Sequence, residues 1–371
     1  MTVRLASPLT YNPSLDGLRA IAALLVVADH CRVPGFNPGY FGVDLFFVLS
    51  GFLITRLLVK EIDATGRLDL PRFYLRRLLR LAPALLLLLA VYVAVSPSLW
   101  PQFSVGEHVR DAALASVYIS DYAQAFWHLP RVLVHTWSLS AEEHFYLIWP
   151  FAVVLLTRIE PRWRIAALVI LYVSATAWRI FEYNSMGWDV TYYRFDTRIS
   201  GMVCGALLAT CLQYKATISE AVANKLGVLA CAALAVCLSI GFWGAPWSMM
   251  GMTNLAHLAA VGVIIAASVR TSWISSVLSL PWLVGLGTVS YGVYLWHYPA
   301  AVYLRGQLPW YLTISIVLSF AIMAATASYW AIERPLQRYR RGLNRPRDDR
   351  IQSAPAEGDP ASRPQTAVVA A

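Results

Sequence analysis

The chain has 371 residues, of which 58% are hydrophobic and only 14% are charged, and its mean hydropathy is +0.54. In soluble domains about a quarter of the residues are charged. This composition therefore excludes an ordinary soluble protein and favours a helical membrane protein. The net charge of +9 would suit nucleic acid, anionic lipid or a topology signal. The five cysteines have no metal-ligand spacing and predict neither a disulfide framework nor a zinc site.

Ten apolar segments are long enough to cross a bilayer as helices. They lie near residues 16–36, 40–59, 78–97, 142–158, 164–182, 196–213, 226–245, 250–269, 281–304 and 310–332. Prolines and polar residues occupy the connectors between them, as is expected of turns and loops. The sequence therefore predicts an all-α fold, a polytopic transmembrane helical bundle of about ten spans.

The positive charge is divided unequally between the two sets of connectors. In the ten-span layout, 21 Lys and Arg residues fall on the side of the chain termini and 5 fall on the opposite side. Cytoplasmic loops of membrane proteins carry the excess of Lys and Arg, so both termini are predicted to be cytoplasmic. Topology then explains the charge, and no nucleic-acid partner is expected.

Two parts of the chain are not predicted to span. In the connector at 98–140, the stretch 111–127 is too polar to cross a membrane and is expected to form an interfacial or re-entrant helix. The chain after Leu343 is rich in Arg, Pro, Asp and Ala without periodicity, which predicts disorder. We therefore expect a membrane-embedded domain over 1–342 and a disordered cytoplasmic tail over 343–371.

Ionisable side chains at bilayer depth usually face a protein interior or a watery cavity and so indicate function. Arg19 and His30 are eleven residues apart in the first segment. This spacing places them within about 20° of one helix face and about 16 Å apart along the axis. His30 could act as a general base or nucleophile, and Arg19 could hold a phosphate. The alternative is a hydrogen-bonded packing histidine beside a snorkelling arginine.

Asp44 interrupts the second apolar segment, seven residues before Gly51. Two roles are equally compatible with this position. Asp44 could orient or pair with His30 across a close helix contact, or it could pair with a buried arginine such as Arg56 or Arg198.

Basic and acidic residues also mark the cytoplasmic start of the third segment and the external start of the fourth. The stripe formed by Arg72, Arg76, Arg77 and Arg80 suits a polyphosphate, although lipid headgroups and the topology signal explain such a stripe as well. Ser140 and Glu143 have the spacing of a capping box, which leaves Glu142 as a carboxylate partner for a base or a substrate hydroxyl. His297 is predicted as part of a packed, kinked interfacial helix, with a catalytic role as the alternative.

Seven segments in order resemble the acyltransferase-3 family of integral membrane O-acyltransferases. They are 15–19 with ten residues before His30, 42–52, 76–80, 137–146, 198–205, 294–297 and 333–335. The resemblance implies ten transmembrane helices in a cell membrane. We expect this membrane to be the inner membrane of a bacterium. It also implies an acyl-CoA donor, commonly acetyl-CoA, and transfer to a hydroxyl of a cell-surface or lipid-linked carbohydrate. No permanently bound cofactor or metal is expected.

The resemblance assigns the family's arginine-to-histidine motif to Arg19 and His30, its basic motif to Arg77 and Arg80, and its acidic position to Glu142. Combined with the positions discussed above, it makes His30, Glu142 and Asp44 the expected catalytic residues and Arg19, Arg76, Arg77 and Arg80 the expected donor-binding residues. His30 either removes the proton of the acceptor hydroxyl or carries the acyl group itself. His144 departs from the family pattern, in which glutamine is common at this position.

Other readings stay open at the level of sequence. A transporter or flippase could use His30, Asp44, Glu142 and Asp196 as a relay, although the broken helix pairs of many transporters are not evident. A non-catalytic sensor on the same scaffold is a third reading. Many family members carry an extracytoplasmic hydrolase-like domain after the last helix. Here we expect the membrane domain alone, a homo-oligomer or a separate extracytoplasmic partner to complete the transfer, with membrane lipids around it.

Overall fold

The computed structural model describes residues 2–4, 11–213 and 217–336, and within them the fold is nearly all helical. The fourteen α-helices in these residues are α1 (Pro13–His30), α2 (Phe41–Thr65), α3 (Leu70–Leu99), α4 (Val105–Ser116), α5 (Ser120–Trp127), α6 (Thr136–Thr157), α7 (Pro161–Tyr193), α8 (Phe195–Gln213), α9 (Glu220–Ile240), α10 (Thr253–Ser268), α11 (Trp273–Leu278), α12 (Pro281–Thr288), α13 (Ser290–Leu304) and α14 (Trp310–Ser328). Two short strands, β1 (Thr2–Arg4) and β2 (Thr217–Ser219), pair antiparallel. The predicted tail at 343–371 lies outside the described residues.

Eight helical stretches in the described residues are long and apolar enough to cross a membrane. They are Asn37–Thr65, Leu70–Leu99, Thr136–Thr157, Pro161–Tyr193, Phe195–Gln213, Glu220–Ile240, Ser248–Ser268 and Trp310–Leu336. Each overlaps one of the ten predicted segments. The protein is therefore a multi-pass membrane protein.

The two other predicted segments form helices of a different kind. Helix α1 has 18 residues, and Asp16, Arg19 and Asp29 make it more polar than the eight stretches. The ninth segment is divided between α12, with 8 residues, and α13, with 15, because the chain leaves the helical conformation at Val289. Charged residues distinguish α1 from an ordinary span, and the interruption at Val289 distinguishes the pair formed by α12 and α13.

Side-chain caps explain where several helices begin. The side chain of Asn12 accepts a hydrogen bond from the backbone of Ser14 at the start of α1, and Asp69 caps α3 in the same way. The expected capping box of Ser140 and Glu143 is wrong, because α6 already begins at Thr136. The Ser140 hydroxyl instead donates to the carbonyl of Thr136, at 3.2 Å.

The connector at 98–140 folds into two short helices instead of the single helix expected over 111–127. Helix α4 begins before this stretch, with a capping box between Ser104 and Glu107, and α5 follows after a turn. Hydrogen bonds from the Ser104 backbone and from Arg131 lower the pKa of Glu107 to about 2. The connector is thus an ordered cap over this end of the bundle.

Glycines allow the helices at the centre of the bundle to approach closely. A Cβ atom on Gly51 of α2 would lie 1.9 Å from the carbonyl oxygen of Met202, and one on Gly205 of α8 would lie 1.9 Å from that of Val48. Small residues at such contacts are typical of helix packing in membranes. A Cβ atom on Gly42 would similarly meet α1, at 2.4 Å from the Ala22 carbonyl oxygen. Helix α2 is therefore held directly between α1 and α8.

Candidate active site

A cavity of about 570 Å³ lies inside the bundle and carries most of the predicted site residues. Its lining residues come from α1, α2, α3, α6, α12, α13 and the turn that follows α14. The charged lining residues are Asp16, Arg19, Arg76, Arg77, Arg80, Glu142 and Glu333. All four arginines predicted to bind the donor thus face one cavity, although one of them is separated from the others by more than fifty residues of sequence.

Three of these arginines are held by neighbouring side chains. Arg19 donates to Asp16 on its own helix, with 2.7 Å between Nη1 and Oδ1. Arg76 of α3 donates to Glu61, with 3.0 Å between Nη2 and Oε2. The Arg77 guanidinium lies over the ring of Tyr146, 5.0 Å from its centroid. Several guanidinium groups converging on one space are suited to binding phosphates.

Glu142 lies on the same wall within a small hydrogen-bond network. The Tyr146 hydroxyl donates to Glu142, with 3.1 Å between the oxygens, and also forms a short hydrogen bond with the Ser50 hydroxyl. Tyr146 therefore links α2 to α6 and holds the carboxylate opposite Arg77. Sequence reasoning did not assign a role to Tyr146, although its position one helical turn after Glu142 is a usable signal.

His30 does not line the cavity but belongs to a cluster of three histidines beyond it. Its Nδ1 atom lies 2.9 Å from Nε2 of His297, and the two rings stack with their centroids 5.2 Å apart. The ring of Tyr298 contacts His30 edge-on at 4.7 Å and stacks on His135 at 4.8 Å. His135 and His297 are buried, whereas His30 is partly exposed.

The histidine cluster brings in two residues that the sequence did not identify as central. His297 was predicted mainly as a packing residue and instead contacts His30 directly. His135 was not singled out, although it immediately precedes helix α6, which carries Glu142. Among the residues that the structure describes, no group of three or more His, Cys, Asp or Glu side chains is arranged to hold a metal ion.

Tyr294 separates the cavity from the histidine cluster. Its hydroxyl lies 2.6 Å from that of Ser138, which also lines the cavity, and donates to the carbonyl of His135 at 2.9 Å. Its ring centroid lies 5.5 Å from that of His297 and 5.6 Å from that of His135. The arginine cavity and the histidines are therefore adjacent, with one aromatic ring and two hydrogen bonds between them.

Asp44 lies apart from both groups, in a buried ion pair. Its Oδ1 atom accepts from Nη2 of Arg198 at 2.8 Å and from Nε2 of His257 at 3.2 Å, and all three side chains are at most 2% exposed. The structure thus shows Asp44 in the second of its two predicted roles, with Arg198 and not with His30. His257 was not predicted, although it is an isolated ionisable residue in the apolar helix α10.

The four residues of the alternative relay lie in separate interactions in the described structure. His30 contacts His297, Asp44 pairs with Arg198, and Glu142 accepts from Tyr146. Asp196 pairs with Arg194, at 2.5 Å between Oδ2 and Nη2. The four residues thus have different partners in the described part of the chain.

The structure is a multi-pass helical bundle with an arginine-lined internal cavity next to buried histidines, an arrangement suited to binding an anionic group inside the bundle. A family model, acyltransferase-3, described as an acyltransferase domain, matches residues 12–333. The chain therefore belongs to the acyltransferase-3 family, as its seven sequence segments predicted.

Curated relatives from Staphylococcus aureus are similar over most of this chain. O-acetyltransferase OatA of strain NCTC 8325 is 34% identical over 350 residues, which cover 88% of this chain and 57% of the relative. Putative O-acetyltransferase SAR0937 of strain MRSA252 is 32% identical over 351 residues, which cover 88% of this chain and 58% of the relative. The chain thus spans little more than half the length of these relatives. No solved structure gives a significant match.

Proposed function

We propose that the protein is a membrane O-acetyltransferase that moves an acetyl group from acetyl-CoA to a hydroxyl of a cell-surface or lipid-linked carbohydrate. The observation that carries this proposal is the cavity in which Arg19, Arg76, Arg77 and Arg80 meet Glu142, next to the cluster that contains His30. The names of its relatives as O-acetyltransferases support the choice of acetyl.

In the proposed topology the bundle crosses the cell membrane ten times, with both termini in the cytoplasm. Helix α1 and the pair formed by α12 and α13 are the two spans added to the eight apolar stretches. The domain then extends over 1–342, followed by a cytoplasmic tail over 343–371. The excess of Lys and Arg on the side of the termini supports this orientation.

The donor binds through its phosphates. Coenzyme A carries a pyrophosphate and a ribose phosphate, and arginine binds such groups in a bidentate manner. Arg19, Arg76, Arg77 and Arg80 form the phosphate site in this proposal, at the cytoplasmic side of the bundle. A cavity of about 570 Å³ is within the usual range for ligand pockets.

His30 is the proposed general base. It removes the proton of the acceptor hydroxyl as the hydroxyl oxygen attacks the thioester carbonyl, so that a carbon–oxygen bond forms. The carbon–sulfur bond then breaks, and the thiolate of coenzyme A receives the proton from His30. In the alternative, a ring nitrogen of His30 attacks the thioester carbonyl, and the carbon–sulfur bond breaks to give acyl-His30 and the thiolate of coenzyme A. The acceptor hydroxyl then attacks acyl-His30, the carbon–nitrogen bond breaks, and the hydroxyl proton passes to the thiolate. Glu142, held by Tyr146, is placed to accept a hydrogen bond from a substrate, and Asp44 holds the fold.

Mass spectrometry of surface polysaccharide and extractable glycolipids tests the proposal. The samples come from cells with the wild-type protein, His30→Ala, or no protein, and His128→Asn serves as the control because His128 is exposed in the external connector. We expect an acetyl increment only with wild type and the control. Acetylation by His30→Ala would remove His30 from the mechanism. If the wild-type protein adds no acetyl increment to any acceptor of a tested panel, the proposed activity is contradicted.

A second measurement separates donor binding from chemistry. Purified His30→Ala should bind coenzyme A as wild type does, because His30 lies outside the cavity lining. Replacing Arg77 and Arg80 together by Ala should abolish that binding. Unchanged binding by the double variant would place the donor elsewhere.

A further inference from the structure

The contact between His30 and His297 determines which nitrogen of His30 carries a proton. Of the two rings, that of His297 is the more deeply buried. His297 has 0% exposure, and its Nδ1 atom lies 3.2 Å from the carbonyl oxygen of Val293, one turn earlier in α13. A carbonyl oxygen can only accept a hydrogen bond, so Nδ1 of His297 is the donor and carries a proton.

The imidazole of His297 is neutral in this surrounding. Its ring neighbours are His30, His135, Tyr294 and Tyr298. In the described part of the chain, the histidines that pair with a carboxylate are His144 and His257, and His297 is not among them. Burying a charge without a partner is costly, which favours the uncharged ring. With its one proton on Nδ1, His297 presents a lone pair at Nε2.

That lone pair faces His30. Since Nε2 of His297 accepts, the Nδ1 atom of His30, 2.9 Å away, must donate and must carry the proton. A neutral imidazole has one N–H, so Nε2 of His30 carries its lone pair. The hydrogen bond made by one ring nitrogen thus sets the tautomer that the other nitrogen offers to chemistry.

Pro299 explains why α13 holds this arrangement in place. Proline has no N–H, so the carbonyl of Leu295, four residues earlier, lacks its helical donor. Nε2 of His135 fills that position, at 3.1 Å from the Leu295 oxygen. His135 is also stacked on Tyr298, whose ring contacts His30. The carbonyl left without a helical donor by Pro299 is therefore bonded to His135, at the start of α6.

We propose that His297 is a positioning residue that holds His30 in its Nδ1–H tautomer, so that Nε2 of His30 is the reacting atom. This inference rests on the proposed function, in which His30 is the base or the acyl carrier. His297 remains an acceptor when Nε2 of His30 takes up a proton, and so it stabilises the resulting imidazolium. A neutral imidazole performs here the orienting task that a carboxylate performs in a Ser-His-Asp triad.

The first test compares His297→Phe with His297→Gln. Phenylalanine keeps an aromatic ring but has no acceptor, whereas the glutamine amide oxygen can accept near the position of Nε2. We expect His297→Phe to lower kcat about 100-fold, within the range of general-base contributions, with KM for acetyl-CoA unchanged. His297→Gln should recover kcat to within about tenfold of wild type. Equal loss in both variants would overturn the proposal.

A matched control excludes a merely structural effect. His108 is another buried histidine, in the connector at 98–140, with its Nδ1 atom 2.8 Å from the Tyr92 hydroxyl and its Nε2 atom 3.3 Å from the carbonyl of Trp100. His108→Phe should leave the kcat of the folded protein near that of wild type. A fall in coenzyme A binding and in thermal stability of His297→Phe that matches its fall in kcat would also overturn the positioning role.

Nitrogen NMR reads the tautomer directly and does not require turnover. In the full chain labelled with ¹⁵N-histidine, the signals absent from His30→Ala identify His30. We expect a protonated Nδ1 and an unprotonated Nε2 in wild type and a mixture or the opposite tautomer in His297→Phe. A protonated Nε2 in neutral wild-type His30 would refute the inference. If wild type shows this tautomer but does not consume acetyl-CoA, the proposed function fails while the assignment stands.

Discussion

Asp44 and Arg198 form a buried charged pair, so Asp44 is expected to contribute to the stability of the fold. Breaking such a pair by removing one charge typically costs about 3–5 kcal/mol, because the other charge is left buried. We expect Asp44→Asn to destabilise the protein by this order, measured by thermal or denaturant unfolding in detergent. The control is Asp63→Asn on the same helix, where exposed Asp63 accepts from Gln213 at 3.0 Å.

The opposite result would be equally informative. If Asp44→Asn unfolds as wild type does but loses turnover, Asp44 takes part in the reaction after all. If the control loses as much stability as Asp44→Asn, the interpretation of the buried pair is wrong.

At the residue scale, the sequence predicted which side chains matter better than it predicted their partners. Polar residues in apolar helices are visible in any hydropathy pattern, and Arg19, Arg77, Arg80 and Glu142 all reached one cavity. The partner of Asp44 is 154 residues away and that of His30 is 267 residues away. Such pairings depend on which helices are neighbours, and no local pattern contains that information.

At the scale of elements, the contact between α2 and α8 depends on the absence of side chains at two glycines. A methyl group on Gly205 would lie 1.9 Å from the backbone oxygen of Val48, so the helices must separate. We expect Gly205→Ala to destabilise the protein by about 1–3 kcal/mol, as overpacked cores do. Thermal unfolding in detergent measures the effect.

Gly285→Ala is the matched control for this change. Gly285 lies in helix α12, is exposed, and has no atom within 4 Å of an added Cβ. Alanine is also the better helix former, so we expect this variant to be as stable as wild type or slightly more stable. Equal stability of both alanine variants would show that α2 and α8 pack less closely than described.

Hydropathy located the helices well and their interruptions poorly. Eight of ten predicted segments are apolar stretches of membrane-spanning length. The ninth is broken at Val289, and α7 continues to Tyr193, well past the predicted end near 182, with Gly187 in a non-helical conformation at φ 78°. Averaging over a window of about 20 residues reports mean polarity and cannot detect where one residue leaves the helix.

At the scale of the whole molecule, the proposed orientation predicts which connectors face outside. In a variant without its five native cysteines, new cysteines at Pro34, Gln102 and Gln307 should react with a membrane-impermeant maleimide on intact cells. Cysteines at Arg162 and Thr271 should react only after the membrane is opened. All five positions are exposed. The extent of labelling is measured by mass shift.

This experiment tests the span count as well as the orientation. Pro34 reports on α1, and the pair of Thr271 and Gln307 brackets α12 and α13. Labelling of Thr271 and Gln307 from the same side would mean that α12 and α13 do not cross the membrane together. A reversed pattern at every position would overturn the cytoplasmic placement of the termini.

The ring of Tyr294 lies between the arginine cavity and the histidine cluster, and this position matters to a cell as well as to a reaction. A polar cavity that continued through the bundle would be a path for protons and other small ions along the membrane potential. With Tyr294 held by Ser138 and His135, the described cavity ends inside the protein. We therefore expect the protein to leave the ion gradients across its membrane intact.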